Sequence, residues 1–182
     1  MPDGAMIETP RLLLRRWRDT DWPAFAAMNA DPEVMHDLGG PITRAESDGK
    51  LDRYAAAFDR DGLSRWVIED RGSAEFLGYA GLLHRASHPL GAHFDLAWRL
   101  ERTAWGRGYA TEAASAALND AFMRVGLVEA FAYTSRENLR SQAVMARLGL
   151  RRDPSRDFTA TYDGFGEWSG LVWVARPVRA RP

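Results

Sequence analysis

The chain has 182 residues and a formal net charge of −1 at pH 7, and it contains no cysteine. The length suits one α/β domain, the charge favours neither nucleic acid nor an anionic membrane as a partner, and the missing cysteine excludes disulfides, a thiolate nucleophile and cysteine-based zinc sites. No apolar run approaches the roughly 20 residues that span a bilayer, and no signal-peptide core is present, so the sequence predicts a single cytoplasmic domain over residues 1–182.

The first half of the chain predicts strands and helices after a loose lead-in at residues 1–6. An apolar run between arginines is typical of a strand, and two helices follow it, the second opened by the capping box of Thr43 and Glu46. Two more apolar runs joined by a short turn predict an antiparallel hairpin. These elements are predicted near residues 11–17, 19–28, 43–62, 64–70 and 76–83. The segment Pro32 to Pro41, between the helices, is interpreted as a loop that could select a substrate.

The middle of the chain predicts a strand, a glycine turn and an amphipathic helix in succession. Residues 91–100 alternate between apolar and polar side chains, the period of a strand with one buried face. Gly106 and Gly108 then free the backbone to curl just before the apolar helix positions of residues 110–125. Several N–H groups would converge there at the positive end of the helix, an arrangement that binds anions. The alternative is that the glycines serve only a tight connection.

The rest of the chain predicts three strands and one helix. A strand at residues 128–134 after the central helix implies a right-handed crossover between two parallel or splayed strands. Asn138 is a plausible N-cap for a helix that Gly149 ends. The last two strands are predicted at residues 150–157 and 168–175, with a hairpin connection at residues 159–166. The fold class is therefore α/β (α+β), with a mixed sheet of about seven strands flanked by helices.

Several segments also match the pattern of a known family. They are residues 96–100, 104–113 and 137–150, together with Glu-Thr-Pro-Arg-Leu-Leu-Leu-Arg at residues 8–15. They resemble the GNAT acyltransferase family, in the branch similar to ribosomal-protein-alanine N-acetyltransferases, and the resemblance covers nearly the whole chain. It implies a single GNAT-type domain whose sheet is mostly antiparallel with a splayed parallel pair. In the family's pyrophosphate motif, Gln/Arg-x-x-Gly-x-Gly/Ala, the small residues fall on Gly108 and Ala110, while Trp105 departs from the first position.

The resemblance implies acetyl-CoA as cosubstrate and assigns residues to it. Backbone N–H groups of the glycine turn would hold the pyrophosphate, and the pantetheine arm would add along the end of the preceding strand as a pseudo-strand. Asn138 matches the family asparagine that hydrogen-bonds the pantetheine. Arg107 and Arg140 could reach the adenosine phosphates or could serve as surface charges. The expected binding residues are Trp98, Arg99, Leu100, Gly106, Arg107, Gly108, Tyr109, Ala110, Thr111, Asn138 and Arg140.

Acetyl transfer to an amine needs an oxyanion donor and a group that protonates or stabilises the departing thiolate. A backbone N–H near Leu100 is the natural oxyanion donor, as the resemblance also suggests. The tyrosine that serves as general acid in many GNAT enzymes falls on Met145, which cannot donate a proton. The resemblance instead implies that Ser141 lies near the sulfur, as an acid or thiolate stabiliser.

The general base is the least determined group. Asp95 and Asp153 correspond roughly to carboxylate positions in relatives and could act through a water, and the alternative for each is an ion pair or a solvated carboxylate. Weaker candidates are His36, His84 and His93. An α-amine, with a pKa of about 7.7–8, loses its proton more readily than a lysine amine near 10.4. A weak or water-mediated base would therefore favour an α-amino acceptor.

The expected function is acetyl-CoA-dependent N-acetylation by direct transfer, because no cysteine can carry an acyl group. A protein or peptide N-terminal amine is the favoured acceptor, and the alternative is a small amine such as an amino acid, a polyamine or an aminoglycoside-like compound. The missing tyrosine also leaves open a catalytically silent GNAT-fold module that binds CoA. No histidine pair has metal-ligand spacing, so no metal is predicted. The sequence is compatible with a monomer or a homodimer.

Overall fold

Nine strands and five α-helices make up the described part of the chain, which is residues 6–162 and 166–177 of this computed structural model. The strands are β1 (Met6–Glu8), β2 (Leu12–Arg15), β3 (Arg65–Asp70), β4 (Phe76–Arg85), β5 (His93–Leu100), β6 (Ala130–Thr134), β7 (Arg151–Arg152), β8 (Phe158–Tyr162) and β9 (Gly166–Ala175). The helices are α1 (Trp22–Ala30), α2 (Pro32–Met35), α3 (Arg44–Asp61), α4 (Tyr109–Asp120) and α5 (Leu139–Arg147), and a π-helical turn (Ala121–Val125) continues α4. None of these helices is both long and apolar enough to cross a membrane.

The strands lie in the order β1-β2-β3-β4-β5-β6-β9-β7, and β8 pairs with the first half of β9. Every pairing among the described residues is antiparallel except that of β5 with β6. Those two parallel strands pair at one position, where Asp95 lies opposite Phe131, and they diverge beyond it. The expected mixed sheet with a splayed parallel pair is therefore confirmed.

Helix boundaries follow caps that the sequence predicts. At the start of α3, the Thr43 N–H donates to the Glu46 carboxylate at 2.7 Å, and the Glu46 N–H donates to the Thr43 hydroxyl at 3.3 Å. The helix ends at Gly62, whose φ of +70° lies in the left-handed region that favours glycine. The Asn138 side chain accepts the Ser141 N–H at 3.0 Å and so caps α5.

Two features of the first half of the chain differ from the predictions. Residues 6–8 form β1 along β2, a strand that the sequence does not predict and that overlaps the expected lead-in at Met6; a three-residue edge strand is too short to show a period. The segment Pro32 to Pro41 is not an irregular loop, because it contains α2 and a 3₁₀ turn at His36–Leu38. The Asp31 side chain accepts the N–H groups of Glu33 and Val34, which turns this polar segment into a capped helix.

The predicted strand at residues 150–157 is also largely wrong. Only two residues pair as β7, because Asp153 caps a 3₁₀ turn that begins at Pro154, which has no N–H to donate to a ladder. The next strand, β8, starts at Phe158 and occupies the first half of the predicted hairpin connection, and Gly166 at the end of that connection already belongs to β9. Residues 163–165 of the connection lie outside the described residues.

The core lies on both faces of the sheet. Tyr79 and Ala80 are neighbours in β4, so their side chains point to opposite faces. Tyr79 packs with Phe25 of α1 and Tyr54 of α3, at ring-centroid distances of 6.0 and 5.5 Å. Ala80 belongs to the second cluster, against which α4 packs its smallest side chains. These fully or almost fully buried side chains are Ala113, Ala114 and Ala117.

A buried ionic cluster lies at the position where β5 and β6 begin to diverge. The Asp95 carboxylate is paired with the guanidinium of Arg65, with that of Arg85 at 3.0 Å, and with the Tyr133 hydroxyl at 3.0 Å. Arg65 also donates to the carbonyl oxygens of Asp95 and Gly81. Burial raises the pKa of Asp95, but the positive charges of Arg65 and Arg85 outweigh that effect, so its pKa lies below the ordinary value.

We expect Asp95→Asn to lower the free energy of unfolding by about 3–5 kcal/mol, because it leaves the Arg65 guanidinium buried without its counter-charge. Urea denaturation followed by circular dichroism measures the loss. The control is Asp59→Asn, whose exposed pair with Arg16 is expected to contribute at most about 1 kcal/mol. Equal midpoints for the two variants would contradict the expectation.

The same carboxylate should make stability depend on pH. Its pKa is lower in the folded protein than in the unfolded chain, where it is about 3.9. Its stabilising contribution is therefore present above that value and is lost as the pH falls through the lower folded pKa. Urea titrations between pH 7 and pH 2 should show a steeper acid loss for the wild-type protein than for Asp95→Asn.

Candidate active site

A cavity of about 800 Å³ opens where β5 and β6 diverge, a size typical of small-molecule sites. Its walls are the end of β5, the glycine turn and first turn of α4, the end of β6, the start of α5, and the α2 segment. Ten of the eleven predicted binding residues line the cavity, and Arg107 is the exception. The predicted catalytic residue Ser141 also lines it. The predicted residues in its lining are Trp98, Arg99, Leu100, Gly106, Gly108, Tyr109, Ala110, Thr111, Asn138, Arg140 and Ser141.

The end of β5 presents backbone groups to this cavity. The Glu101 N–H donates to the Leu77 carbonyl at 2.9 Å, and Leu100 lies opposite Gly78. In an antiparallel ladder, a bond at this position means that the neighbouring pair, Leu100 and Gly78, exchanges no backbone hydrogen bonds. The Leu100 N–H therefore points away from β4. The Trp98 N–H, two residues earlier, points the same way. Because β6 has already diverged, both N–H groups face the opening.

The glycine turn has the backbone geometry that the sequence predicts. Gly106 and Gly108 have φ values of +74° and +80°, in the left-handed region. The first hydrogen bond of α4 runs from the Glu112 N–H to the Gly108 carbonyl at 3.1 Å, and no side chain caps the helix. The N–H groups that precede this bond have no intrahelical partner and lie at the positive end of the helix dipole. They belong to Tyr109, Ala110 and Thr111.

The N-terminal segment braces this turn. The Glu112 carboxylate accepts hydrogen bonds from the Thr9 hydroxyl at 2.7 Å and the Arg11 guanidinium at 2.7 Å. Arg11 also donates to the Arg107 carbonyl at 2.9 Å and lies 4.6 Å from the Tyr109 ring centroid. Burial raises the pKa of Glu112, but the bonds from Thr9 and Arg11 outweigh it and leave the pKa lowered. Arg11 thus neutralises a carboxylate beside the predicted phosphate site, a role that the sequence does not indicate.

Two side chains connect opposite walls of the cavity. The Trp105 indole donates to the Leu100 carbonyl at 2.9 Å, so the residue that departs from the family motif fixes the end of β5. Arg140 lies 4.1 Å from the Trp105 ring centroid and 3.6 Å from the Asp37 carboxylate. Arg140 therefore links α5 to the glycine turn and to the segment after α2.

The start of α5 places one hydroxyl in the cavity. Asn138 uses its side-chain oxygen to cap Ser141, which leaves its amide NH₂ group as the donor available to a ligand. Ser141 and Met145 lie one helical turn apart, and both line the cavity. Ser141 therefore places a hydroxyl one helical turn before the thioether that occupies the family's tyrosine position.

The predicted carboxylate bases do not line the cavity. Asp95 is held in the ionic cluster, and Asp153 accepts the Ser155 hydroxyl at 2.6 Å and pairs with Arg156 at 3.0 Å. The bonds from Ser155 lower the pKa of Asp153. The geometry therefore favours the ion-pair alternative for both carboxylates. The three histidines considered as weaker bases also lie outside the lining: His36, His84 and His93.

Comparisons with known proteins agree with this geometry. A family model described as Acetyltransferase (GNAT) domain matches residues 11–151. The Uncharacterized N-acetyltransferase YnaD of Bacillus subtilis (strain 168) is 27% identical over 148 residues, which cover 81% of this chain and 83% of the relative. A crystal structure of the acetyltransferase from Agrobacterium tumefaciens str. C58 has a TM-score of 0.80 at 29% identity and covers 94% of each chain.

A more distant structural neighbour is the ribosomal L7/L12 alpha-N-protein acetyltransferase RimL in complex with coenzyme A. Its TM-score is 0.73 at 16% identity, with 94% of this chain and 97% of that chain covered. At this level of identity, the likeness supports the fold alone.

We expect Arg11→Ala to weaken binding of acetyl-CoA about tenfold, or about 1.4 kcal/mol, because the Glu112 carboxylate would then oppose a phosphate at the glycine turn. Isothermal titration calorimetry measures the dissociation constant. The double variant Arg11→Ala/Glu112→Gln should recover part of the affinity, because it removes the repelling charge. Arg60→Ala, which breaks an exposed pair with Asp61, is the control. A double variant that binds no better than Arg11→Ala would contradict the electrostatic role.

Proposed function

Because the chain belongs to the GNAT acetyltransferase family, we propose that it transfers the acetyl group of acetyl-CoA directly to the N-terminal amine of a protein or peptide. The observation that carries the proposal is the diverging strand pair, which puts the free Leu100 N–H and the glycine turn in one cavity. The chain has no cysteine, so the reaction does not use an acyl-thioester enzyme.

The chemistry of the cavity fits acetyl-CoA. The unpaired N–H groups at the start of α4 suit a pyrophosphate, which the helix dipole also attracts. Pantetheine carries two amide groups, so it can pair with the exposed backbone of β5 between Trp98 and Leu100 as an added strand would. The free NH₂ group of Asn138 supplies a further donor from the opposite wall.

The proposed chemistry needs few side chains. The Leu100 N–H receives the negative charge that develops on the thioester oxygen, and the β4 ladder and Trp105 hold this donor in place before reaction. Ser141 donates to the sulfur as it departs, in the position one turn before Met145. A backbone donor costs little reorganisation, because the sheet already fixes its direction.

The choice of an N-terminal amine rests on proton affinity. An α-amine has a pKa of about 7.7–8, so near neutral pH a useful fraction is uncharged, whereas a lysine amine near 10.4 is almost wholly protonated. None of the carboxylates or histidines that the sequence predicts as bases lines the cavity, and this favours the α-amine, which loses its proton more readily. RimL, named as an alpha-N-protein acetyltransferase, shares the fold and lends the proposal support by analogy.

The acceptor class is tested with acetyl-CoA and matched amines, with free thiol followed over time. The panel holds a short peptide with a free N-terminus, the same peptide N-terminally blocked with one lysine added, a polyamine and an aminoglycoside. We expect kcat/KM to be highest for the free N-terminus at pH 7.5. A higher value for the polyamine or the aminoglycoside would favour a small-molecule acetyltransferase, and tight acetyl-CoA binding with no turnover would favour a silent CoA-binding module.

We expect Ser141→Ala to lower kcat about 10²-fold, the lower end of what a positioned proton donor contributes. Its dissociation constant for acetyl-CoA should stay unchanged, because the cap of α5 uses the Ser141 backbone N–H. Ser115→Ala, an exposed serine of α4, is the control. Turnover by Ser141→Ala equal to wild type at saturating substrates would remove the proposed role.

A further inference from the structure

A smaller pocket of about 390 Å³ adjoins the cavity, because Val34 lines both. One wall comes from Ala27, Met28 and Asp31, at the end of α1 and the start of α2. The other wall is the turn after β5. That wall begins with Glu101, the residue that directly follows the proposed oxyanion donor.

We propose that Glu101 is the base that removes the proton from the acceptor amine, and that this pocket receives the amine. The proposal rests on the proposed function, which leaves the base unassigned once Asp95 and Asp153 are found in ion pairs outside the cavity.

Glu101 differs from the other carboxylates that line the two pockets. Asp31 accepts the first N–H groups of α2, Asp37 pairs with an α5 arginine at 3.6 Å, and Glu112 is held by the N-terminal brace. The Glu101 carboxylate has no hydrogen bond or ion pair with any residue of the described part of the chain. It is therefore the carboxylate in these walls that is free to accept a proton.

The neighbouring arginine does not neutralise Glu101. Arg102 follows it in the same pocket wall, but the Arg102 guanidinium pairs with the Glu33 carboxylate at 2.9 Å. Glu101 thus contributes an unpaired negative charge to the pocket wall, and such a charge attracts an ammonium group.

The place of Glu101 in the strand suits the attack. The Leu100 N–H points in the plane of the sheet toward the cavity, whereas Glu101 lines the smaller pocket together with residues at the end of α1 and in α2. An amine that attacks a carbonyl held by the Leu100 N–H from this side would meet the carboxylate one residue further along. Burial raises the pKa of Glu101, and the nearby charge of Glu75 raises it further, which brings the base closer to the pKa of an amine.

The proton balance is simple. The ammonium loses one proton to the Glu101 carboxylate, and the neutral amine nitrogen forms a bond to the thioester carbon. The carbon–sulfur bond breaks with its electron pair on sulfur, and the second proton of the nitrogen reaches sulfur by way of the Ser141 hydroxyl. Glu101 then releases its proton to solvent, so one proton leaves for each acetyl group transferred.

The test is Glu101→Gln, which keeps the shape of the side chain and removes its basicity. With a free N-terminal peptide at pH 7, we expect kcat/KM to fall by about 10²-fold or more, while the dissociation constant for acetyl-CoA stays unchanged. The deficit should shrink as the pH rises past about 8, where the amine loses its proton unaided. Glu101→Asp should retain more activity than Glu101→Gln, and Glu8→Gln in β1 is the control.

The outcomes separate this inference from the proposed function. If Glu101→Gln turns over as fast as the wild type at every pH, the role of Glu101 is overturned and the acetyltransferase function is not affected. Loss of acetyl-CoA binding by Glu101→Gln, or a deficit that stays constant with pH, would assign Glu101 a structural role and also overturn the inference. A wild-type protein that binds acetyl-CoA and acetylates no amine would overturn the proposed function and the inference with it.

Discussion

The geometry of the site depends on one buried carboxylate. Asp95 in β5 is bonded by Arg65 of β3, Arg85 of β4 and Tyr133 of β6, so four strands are fixed at a single level. Removing charges from water is costly unless each finds partners, and here both carboxylate oxygens have them. The only bridge between β5 and β6 in the described residues lies at this level, opposite Phe131. Beyond it the strands part, so the ionic cluster determines where the cavity begins.

The two sides of the cavity use different kinds of groups. On the cosubstrate side, the proposed contacts are backbone N–H groups of β5 and of the start of α4, whose directions depend on secondary structure and only weakly on side chains. This explains how Trp105 can replace the usual polar residue of the motif and instead support the strand. On the acceptor side, the proposed contacts are residues at the end of α1, in α2 and in the turn after β5. Changes of acceptor are therefore accessible through substitutions that leave the cosubstrate contacts intact.

Features that depend on neighbouring residues were accessible from the sequence, and those that join distant segments were not. The capping box of α3 and the glycine turn are local patterns, and each has the predicted geometry. The strand β5 forms where the alternation predicts it, but the expectation of a single buried face is wrong, because His93 and Asp95 on the polar face are buried. The brace between Arg11 and Glu112 joins residues 101 positions apart, so no spacing rule reveals it. In the sequence, Asp95 is only an acidic residue on a predicted strand. Its role as a buried ion-pair partner cannot be read there, because its three partners come from three other strands. The sequence does not single out Glu101 for a similar reason, since its pocket forms only when α1 and α2 pack beside the turn after β5.

The alanine face of α4 carries a further consequence. Ala113, Ala114 and Ala117 let the helix lie close against the sheet, and so they fix the separation between its N-terminus and the edge of β5. A cosubstrate that is anchored by its phosphates at one end and reacts at the other must span that separation. A larger side chain on this face would push the helix outward and shift the reactive end by the same amount, and a misplacement of about 1 Å can cost 10²-fold in rate. These small side chains, which lie outside the cavity lining, therefore set the distance between the proposed phosphate site and the reacting atoms.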